Sequence, residues 1–210
     1  MVSFDDDFRL KLRELLIWRR DVRRFRPDPL PDGTMERLIE IACLSPSVGL
    51  SQPWRFVVVE DKARRCAVIE DFKACNAKAL QSYSGQRAAQ YASLKLAGLE
   101  QAPGHLAVFA EKASELGHGL GRMTMPETIE YSVVSAISFL WLAARAEGVG
   151  LGWVSILDPQ RVCEILAVPQ SWKLIGYFCL GYPDAESDRP ELERADWEQR
   201  RRGEQFTTRR

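Results

Sequence analysis

An arginine-rich segment near the N-terminus is the first candidate for chemistry in this sequence. Arg19, Arg20, Arg23 and Arg24 lie within six residues, together with a single acid, Asp21. The planar guanidinium group pairs well with phosphate, and several of them in one non-helical segment can converge on a single anion. The alternative interpretation is a solvated charged surface, and composition alone does not decide between the two.

Asp21 and Ser155 are the candidates for proton transfer and hydrogen bonding to a ligand. A carboxylate at a helix C-terminus is disfavoured by the helix dipole, so Asp21 either pairs with the neighbouring arginines or serves as an acid/base group. Ser155 ends the apolar run "VGLGWVS", and its hydroxyl can both donate and accept. No G-x-S-x-G motif surrounds it, and neither His105 nor His118 is an evident base, which argues against a serine hydrolase.

Three alternating glycines, Gly148, Gly150 and Gly152, superficially resemble a nucleotide-binding fingerprint. They follow a predicted helix and enter a predicted strand, whereas a fingerprint follows a strand and opens a helix. Two interpretations remain open. The glycines could cap the helix and allow close backbone packing, or they could form a strand edge that lies flat against a ligand ring.

The composition limits the possible functions. Lys and Arg together number 29, as do Asp and Glu, so no overall basic field indicates nucleic acid or an anionic membrane as partner. Two histidines and five cysteines without a C-x-x-C pair predict no metal site. The start "MVSFDDDFRLKL" is acidic and lacks an apolar signal core, so we expect a cytoplasmic protein.

The elements that must position these residues follow from the spacing of apolar side chains. Thr34 is predicted to cap the second helix, and the helix 128–147, apolar nearly all round, is typical of a core or a subunit interface. The polar segment 183–210 is predicted to be an arm that embraces a partner subunit, within a single domain spanning 1–210. Helices are predicted over 6–18, 35–44, 61–80, 86–101, 128–147 and 159–168, and strands over 55–60, 105–110, 149–156 and 173–182.

Four segments together resemble the FMN-dependent nitroreductase superfamily. They are "RRDVRRF" (19–25), "SPSVGLSQPWRFVVV" (45–59), "WLAARAEGVGLGWVS" (141–155) and "KLIGYFCLGYP" (173–183), and their order and spacing match across almost the whole chain. The resemblance implies an α+β fold with a central, mostly antiparallel sheet flanked by helices. It also implies an intertwined homodimer with FMN sites at the subunit interface.

Within the superfamily, the sequence is most similar to the 5,6-dimethylbenzimidazole synthase family. Asp21 stands where ordinary nitroreductases usually have a small hydroxyl residue, and Leu50 stands where they commonly have an asparagine. The strand from Gly150 to Ser155 ends in serine, as in that family, and the segment 84–103 resembles its flavin-covering lid.

The resemblance implies a role for each matching residue. Arg19, Arg20 and Arg23 would hold the phosphate and ribityl region of FMN, and Asp21 and Ser155 would be catalytic. Ser47 and Leu50 would contact the ring from their loop. In the arm, Arg200 and Trp197 match less closely. The implied flavin-binding residues are Arg19, Arg20, Asp21, Val22, Arg23, Ser47, Leu50, Leu96, Gly152, Ser155 and Arg200.

The reaction implied by the resemblance consumes FMN. Reduced FMN and molecular oxygen would give 5,6-dimethylbenzimidazole, the lower ligand of cobalamin, and erythrose 4-phosphate. A closed lid would exclude NAD(P)H, so a separate NAD(P)H-dependent flavin reductase would supply the reduced flavin. Two alternatives remain: an NAD(P)H-dependent nitroreductase or flavin reductase, and a flavin-binding protein without catalytic activity.

Overall fold

A computed structural model describes residues 3–210 of the chain. Short 3-10 turns lie at Val48–Leu50, Leu116–Gly119 and Gly203–Phe206. The helices are α1 (Asp6–Trp18), α2 (Thr34–Ala42), α3 (Lys62–Leu80), α4 (Gly85–Ser93), α5 (Thr128–Ala146), α6 (Pro159–Leu166) and α7 (Glu191–Arg194), and the strands are β1 (Trp54–Val58), β2 (Gly104–Glu111), β3 (Gly150–Val154) and β4 (Trp172–Gly181).

The four strands form one sheet in the order β1-β2-β4-β3, and every neighbouring pair is antiparallel. The two central strands, β2 and β4, are also the longest. They pair with each other over eight residues of β2, with a bulge at Val108/Phe109. The predicted α+β class, with an antiparallel sheet flanked by helices, is therefore confirmed.

Helices cover both faces of the sheet, because alternate residues of a strand point to opposite sides. Leu106 and Val108 of β2 lie in one buried cluster with Val133, Ile137 and Leu140 of α5. By length and composition alone α5 would also suit a membrane span. In this fold, however, eight of its residues are buried inside the protein, so α5 serves as the central core helix.

The second face of the sheet packs against α3 and α6. Ala107 and Phe109 of β2 lie in a second buried cluster with Val68 of α3 and Val162 of α6. Tyr177 of β4 belongs to the same cluster and is fully buried. Each face of the sheet thus has its own core, and the edge strand β3 is left available for a further segment.

Several helix boundaries differ from the sequence prediction. Helices α2 and α6 each end two residues early, at Ala42 and Leu166, and two larger differences have a clear structural cause. Thr34 does not cap α2: Gly33 is the N-cap residue, with φ of +75°, and Thr34 is the first, buried residue of the helix. Helix α4 ends at Ser93 rather than at 101. The chain beyond it is irregular and packs against the N-terminal segment: a Cβ on Gly98 would lie 2.4 Å from the ring of Phe25.

Candidate functional site

The segment that follows α1 lies beside the edge strand β3. Helix α1 ends because its C-cap residue, Arg19, adopts an extended conformation. The backbone N–H of Val22 then donates to the carbonyl of Leu151 at 3.1 Å, and Asp21 forms an isolated parallel bridge with the same residue. The arginine-rich segment is therefore held against the sheet by backbone contacts.

Two glycines of β3 make this approach possible. A Cβ on Gly152 would lie 2.0 Å from the carbonyl oxygen of Val22, and one on Gly150 would lie 2.9 Å from a methyl group of the same residue. Contacts this short exclude any side chain at position 152 unless the segment moves. Close backbone packing, one of the two interpretations of these glycines, is thus confirmed, and the close neighbour is the protein's own chain.

Gly148 terminates α5. It has φ of +72°, its N–H donates to the carbonyl of Arg145, and the N–H of Val149 donates to the carbonyl of Ala144. This pair of bonds is the Schellman motif, in which a left-handed glycine satisfies the last helical carbonyls. The motif turns the chain directly into β3.

Asp21 is held by hydrogen bonds to both carboxylate oxygens. Its Oδ1 accepts from the backbone N–H of Trp153 at 2.8 Å, and its Oδ2 accepts from Nε of Arg23 at 2.9 Å. The Arg23 side chain is only 13% exposed, and its Nη1 also donates to the carbonyl of Lys95 at 3.2 Å. The carboxylate is therefore oriented by β3 on one side and, through Arg23, by the segment after α4 on the other.

Three guanidinium groups come together beside this pair. Burial lowers the pKa of Arg19 and of Arg20, and the positive charge of Arg200 lowers both further. Arg19 also stacks over the ring of Trp141, with its Cζ 4.7 Å from the ring centroid. Like charges at close range repel, and a bound anion relieves that repulsion. The grouped positive charge fits a phosphate group.

Arg20 is tied to the backbone on two sides. Its Nη1 donates to the carbonyl of Arg19 at 2.7 Å, and its Nε donates to the carbonyl of Asp188 at 3.0 Å. The first bond places its cation at the C-terminal end of α1, where the helix dipole favours positive charge. The second bond connects the arginine segment to the C-terminal arm.

The loop between α2 and β1 presents Leu50 to the solvent. Ser47 stabilises the loop, because its Oγ accepts from the N–H of Gln52 at 3.0 Å, and the N–H of Val48 donates to Oγ of Ser132 on α5 at 3.0 Å. Leu50 has φ of +54° and a side chain that is 73% exposed. A leucine in the left-handed region is strained, so the loop holds an apolar side chain outward at an energetic cost.

The comparison with known families identifies the chain. The nitroreductase family model matches residues 16–182. The chain belongs to the nitroreductase family. It is 56% identical to the 5,6-dimethylbenzimidazole synthase of Rhodospirillum rubrum over 94% of each chain, and 46% identical to the enzyme of that name from Rhodobacter capsulatus over 94% of this chain and 96% of the other.

Solved structures of this nitroreductase-family fold agree with that assignment. An iodotyrosine deiodinase bound to FMN and 3-iodo-L-tyrosine is 25% identical, with a TM-score of 0.71 over 84% of this chain and 91% of the other. An oxidoreductase described as a putative NAD(P)H:FMN oxidoreductase of Staphylococcus epidermidis is 17% identical, with a TM-score of 0.65 over 89% and 91% of the two chains. The second likeness concerns the fold alone.

The remaining implied site residues are placed around the same edge of this nitroreductase-family chain. Ser155 is exposed and directly follows β3. Leu96 is partly exposed, and its neighbour Lys95 accepts the hydrogen bond from Arg23. The sequence prediction thus identified residues on adjoining segments, although their contacts to a flavin stay a prediction.

Sequence reasoning missed the groups that hold Asp21 and Arg20. Trp153 and Lys95 act through their backbones, which leave no signal in residue type. Trp141 supports Arg19 from below, and its Nε1 donates to the carbonyl of Arg20 at 3.1 Å. Trp141 lies in α5 and begins the segment 141–155, one of the four that resemble the superfamily. Its place in that segment was the one sign in the sequence that it could belong to the site.

A buried polar pair connects the neighbouring strands β2 and β4. Nδ1 of His105 and the hydroxyl of Tyr177 are hydrogen-bonded at 2.9 Å, and both residues are fully buried. Burial, together with the nearby charge of Arg65, lowers the pKa of His105 to about 4. Burial also raises the pKa of Tyr177. Within residues 3–210, no group of three or more His, Cys, Asp or Glu side chains is placed to hold a metal ion.

Proposed function

We propose that this protein is a 5,6-dimethylbenzimidazole synthase, which uses molecular oxygen to fragment reduced FMN. The products are 5,6-dimethylbenzimidazole, for the lower ligand of cobalamin, erythrose 4-phosphate, and the pyrimidine part of the flavin ring as a third fragment. The observation that carries the proposal is the placement of Asp21. Its carboxylate is hydrogen-bonded to Trp153 and Arg23. Beside it, Arg19, Arg20 and Arg200 group positive charge that a bound phosphate would neutralise. The identity to synthases from two organisms supports it.

The arginines would bind the phosphate end of the substrate. Arg200 lies close enough to lower the pKa of both Arg19 and Arg20, and Arg19 lowers that of Arg20 as well. Arg23 is nearly buried and pairs with Asp21, so we assign it to the ribityl region. Fixing both ends of the ribityl chain reduces the entropy cost of reaching the reactive geometry, an effect worth several kcal/mol in well-oriented systems.

Asp21 and Ser155 would carry the chemistry. Reduced FMN supplies the carbon atoms and electrons of the product, so the protein has to orient the substrate and move protons. Asp21 is the one carboxylate among the implied flavin-binding residues, and its oxygens would accept and return protons. The exposed hydroxyl of Ser155 would hydrogen-bond to the flavin ring.

Five further residues would shape the ring site. Leu50 is held outward in a strained conformation and would pack on the flavin ring, with Ser47 fixing its loop. Val22 and Gly152 meet at the contact that sets the position of the Asp21 segment. Leu96 would cover the ring from the segment after α4. With this cover closed, NAD(P)H would not reach the flavin, so a separate NAD(P)H-dependent flavin reductase would deliver it reduced.

A homodimer in the cytoplasm completes the proposal. None of the residues of α1 is buried, although the helix carries a stripe of apolar side chains that includes Phe8, Leu12 and Leu16. Helix α5 exposes Tyr131 and Phe139 in the same way. A second copy of the chain would cover these faces. Each copy would be a single domain over 1–210, with 183–210 as its C-terminal arm.

An aerobic product assay tests the function. The purified protein is mixed with reduced FMN in air, and the products are separated by chromatography. We expect 5,6-dimethylbenzimidazole to form in proportion to FMN lost. Quantitative return of intact FMN would instead indicate a flavin-binding protein without the synthase activity. Bleaching of bound FMN by added NADPH would indicate a nitroreductase or flavin reductase.

The variant Asp21→Asn tests the site within the same assay. An amide cannot take up the proton, and its NH2 group cannot accept from Nε of Arg23. We expect product formation to fall by roughly 10²–10⁴-fold, with FMN affinity changed far less. Asp28→Asn is the matched control, because Asp28 is an exposed acid that also pairs with an arginine, Arg26. Near-normal turnover by Asp21→Asn would remove Asp21 from the mechanism.

A further inference from the structure

The helix α4, which begins the segment resembling a lid, has little core of its own. Tyr91 is its one buried residue, and the Tyr91 hydroxyl donates to Oδ1 of Asn76 on α3 at 2.8 Å. A helix of nine residues with so few buried side chains is only marginally stable by itself. What holds it in place therefore has to come from another part of the chain.

The C-terminal arm supplies the missing contacts. Trp197 lies edge-on to Tyr83, with ring centroids 5.6 Å apart, and at a tilt to Tyr91, with centroids 6.2 Å apart. Arg87 of α4 also stacks on Trp197, with its Cζ 4.5 Å from the ring centroid. Aromatic pairs and cation–π contacts of this kind are individually weak but specific in geometry.

Hydrogen bonds from a side chain of α4 to the arm backbone fix the same junction. Nε2 of Gln90 donates to the carbonyls of Ala195 and Asp196, at 3.1 and 2.9 Å. Asp196 adopts φ of +53°, which is unusual for a residue other than glycine. A strained turn here is maintained only because the surrounding contacts determine it. We call Ala195, Asp196 and Trp197 the arm latch.

The arm that carries this latch also touches the arginine segment. The carbonyl of Asp188 accepts from Nε of Arg20 at 3.0 Å, and Glu191 pairs with Nη1 of Arg24 at 2.5 Å. Beyond the latch, Arg200 lies close enough to Arg19 and Arg20 to lower the pKa of both. Along the arm, residues 188–191 therefore contact the arginine segment, residues 195–197 contact α4, and Arg200 lies near the arginine segment again.

The far end of α4 leads to Asp21. Two residues after the helix, the carbonyl of Lys95 accepts from Arg23, which in turn donates to Asp21. A shift of α4 would move Lys95, and with it the side chain that orients the carboxylate. The contacts thus connect the arm latch, α4, Arg23 and Asp21 in series.

We propose that the C-terminal arm latches the lid, and that Trp197 is a positioning residue that acts on the reaction through α4 and the segment 94–98. This inference rests on the proposed synthase function. With the latch in place, the substrate is enclosed and Asp21 is oriented. Without it, reduced FMN still binds through its phosphate but meets oxygen in an open site. It then loses two electrons and two protons to oxygen, which gives intact oxidised FMN and hydrogen peroxide.

The test compares Trp197→Ala with the conservative variant Trp197→Phe, using Phe206→Ala as the matched control. Phe206 is an aromatic residue of the same arm with a side chain that is 72% exposed. In Trp197→Ala we expect amide hydrogen exchange across 85–98 to accelerate by about tenfold, the effect of losing an aromatic and a cation–π contact. The share of reduced FMN that returns as intact FMN with peroxide should rise, while the dissociation constant for FMN changes by less than about threefold.

Trp197→Phe should restore most of the protection and most of the product yield, and Phe206→Ala should match the wild type in both. If the amide hydrogen-exchange rate across 85–98 is unchanged in Trp197→Ala, the arm does not hold α4 in place and the proposal is wrong, whatever the product yield. The proposal is also wrong if exchange accelerates but reduced FMN still divides between 5,6-dimethylbenzimidazole and oxidised FMN with peroxide as it does in the wild type. If the wild-type protein forms no benzimidazole, the synthase function fails, and the exchange data alone still decide whether the arm holds the lid.

Discussion

At the scale of single residues, the fixed position of Asp21 depends on groups that are themselves fixed. One carboxylate oxygen is bonded to the backbone of β3, so its position follows the sheet. The other is bonded to Arg23, which is nearly buried and bonded to the backbone at Lys95. Catalytic groups need this kind of support, because small displacements reduce the rate steeply. Ser155 has the opposite character, since it is exposed beyond the end of β3.

His105 gives a prediction about pH. Its folded-state pKa of about 4 lies below the ordinary value of 6.5, so between these values the unfolded chain binds the extra proton. The free energy of unfolding therefore falls as pH decreases from 6.5 to 4, by at most about 3 kcal/mol from this group. We expect His105→Gln to flatten the pH dependence measured by urea denaturation over that range.

The exposed residue His118 provides the control for that measurement. His118→Gln removes a histidine without removing a buried one, so its pH dependence should follow the wild type. Carboxylates that titrate near pH 4 contribute equally to all three proteins and cancel in the differences. An equal slope for His105→Gln and the wild type would mean that folding does not lower the pKa of His105.

At the scale of elements, the decisive contact is the one between the Asp21 segment and the edge of β3. Gly152→Ala would place a methyl group 2.0 Å from the carbonyl of Val22, and the segment would have to move away. We expect the free energy of unfolding to fall by about 1–3 kcal/mol and the affinity for FMN to fall by at least about tenfold, since Asp21 and the arginines move together. Urea unfolding and flavin fluorescence titration measure the two effects.

Gly203→Ala is the control for this substitution, because nothing lies within 4 Å of a Cβ at that position. It should leave both quantities at the wild-type values. If Gly152→Ala behaves like Gly203→Ala, the segment tolerates displacement and its contact with β3 does not set the geometry of the site.

The elements were largely predictable from local patterns, and the exceptions have physical causes. The sequence pattern predicted α1, α3 and α5 to within one residue at either end, because none of the three contains a proline or glycine and each continues over several turns. It overextended α4, since the chain after Ser93 is shaped by Phe25 and Arg23, which are distant in sequence. Residues 188–197 of the arm contact the protein's own arginine segment and α4, which the sequence did not predict, while the embrace of a partner subunit stays a prediction. Contacts of this kind carry no local signal.

At the scale of the whole molecule, the unburied helix α1 predicts the state of assembly. Leu12 and Leu16 are exposed on the same face of a helix in which no residue is buried. In a dimer with twofold symmetry each leucine occurs once in each copy, so four side chains that are 41–49% exposed become covered, which contributes on the order of 3 kcal/mol. We expect the wild-type protein to elute at twice the chain mass of 23.9 kDa in light-scattering chromatography, and the double variant Leu12→Glu/Leu16→Glu to elute as a monomer.

Arg13→Glu is the control for charge, because it places a carboxylate on the same helix outside the apolar stripe. It should remain dimeric. If the flavin site also draws on the interface, as the resemblance to the superfamily implies, the monomeric double variant should lose FMN affinity together with its partner. A wild-type protein that is monomeric and yet binds FMN fully would contradict this prediction, and it would mean that α1 is covered by something other than a second copy of the chain.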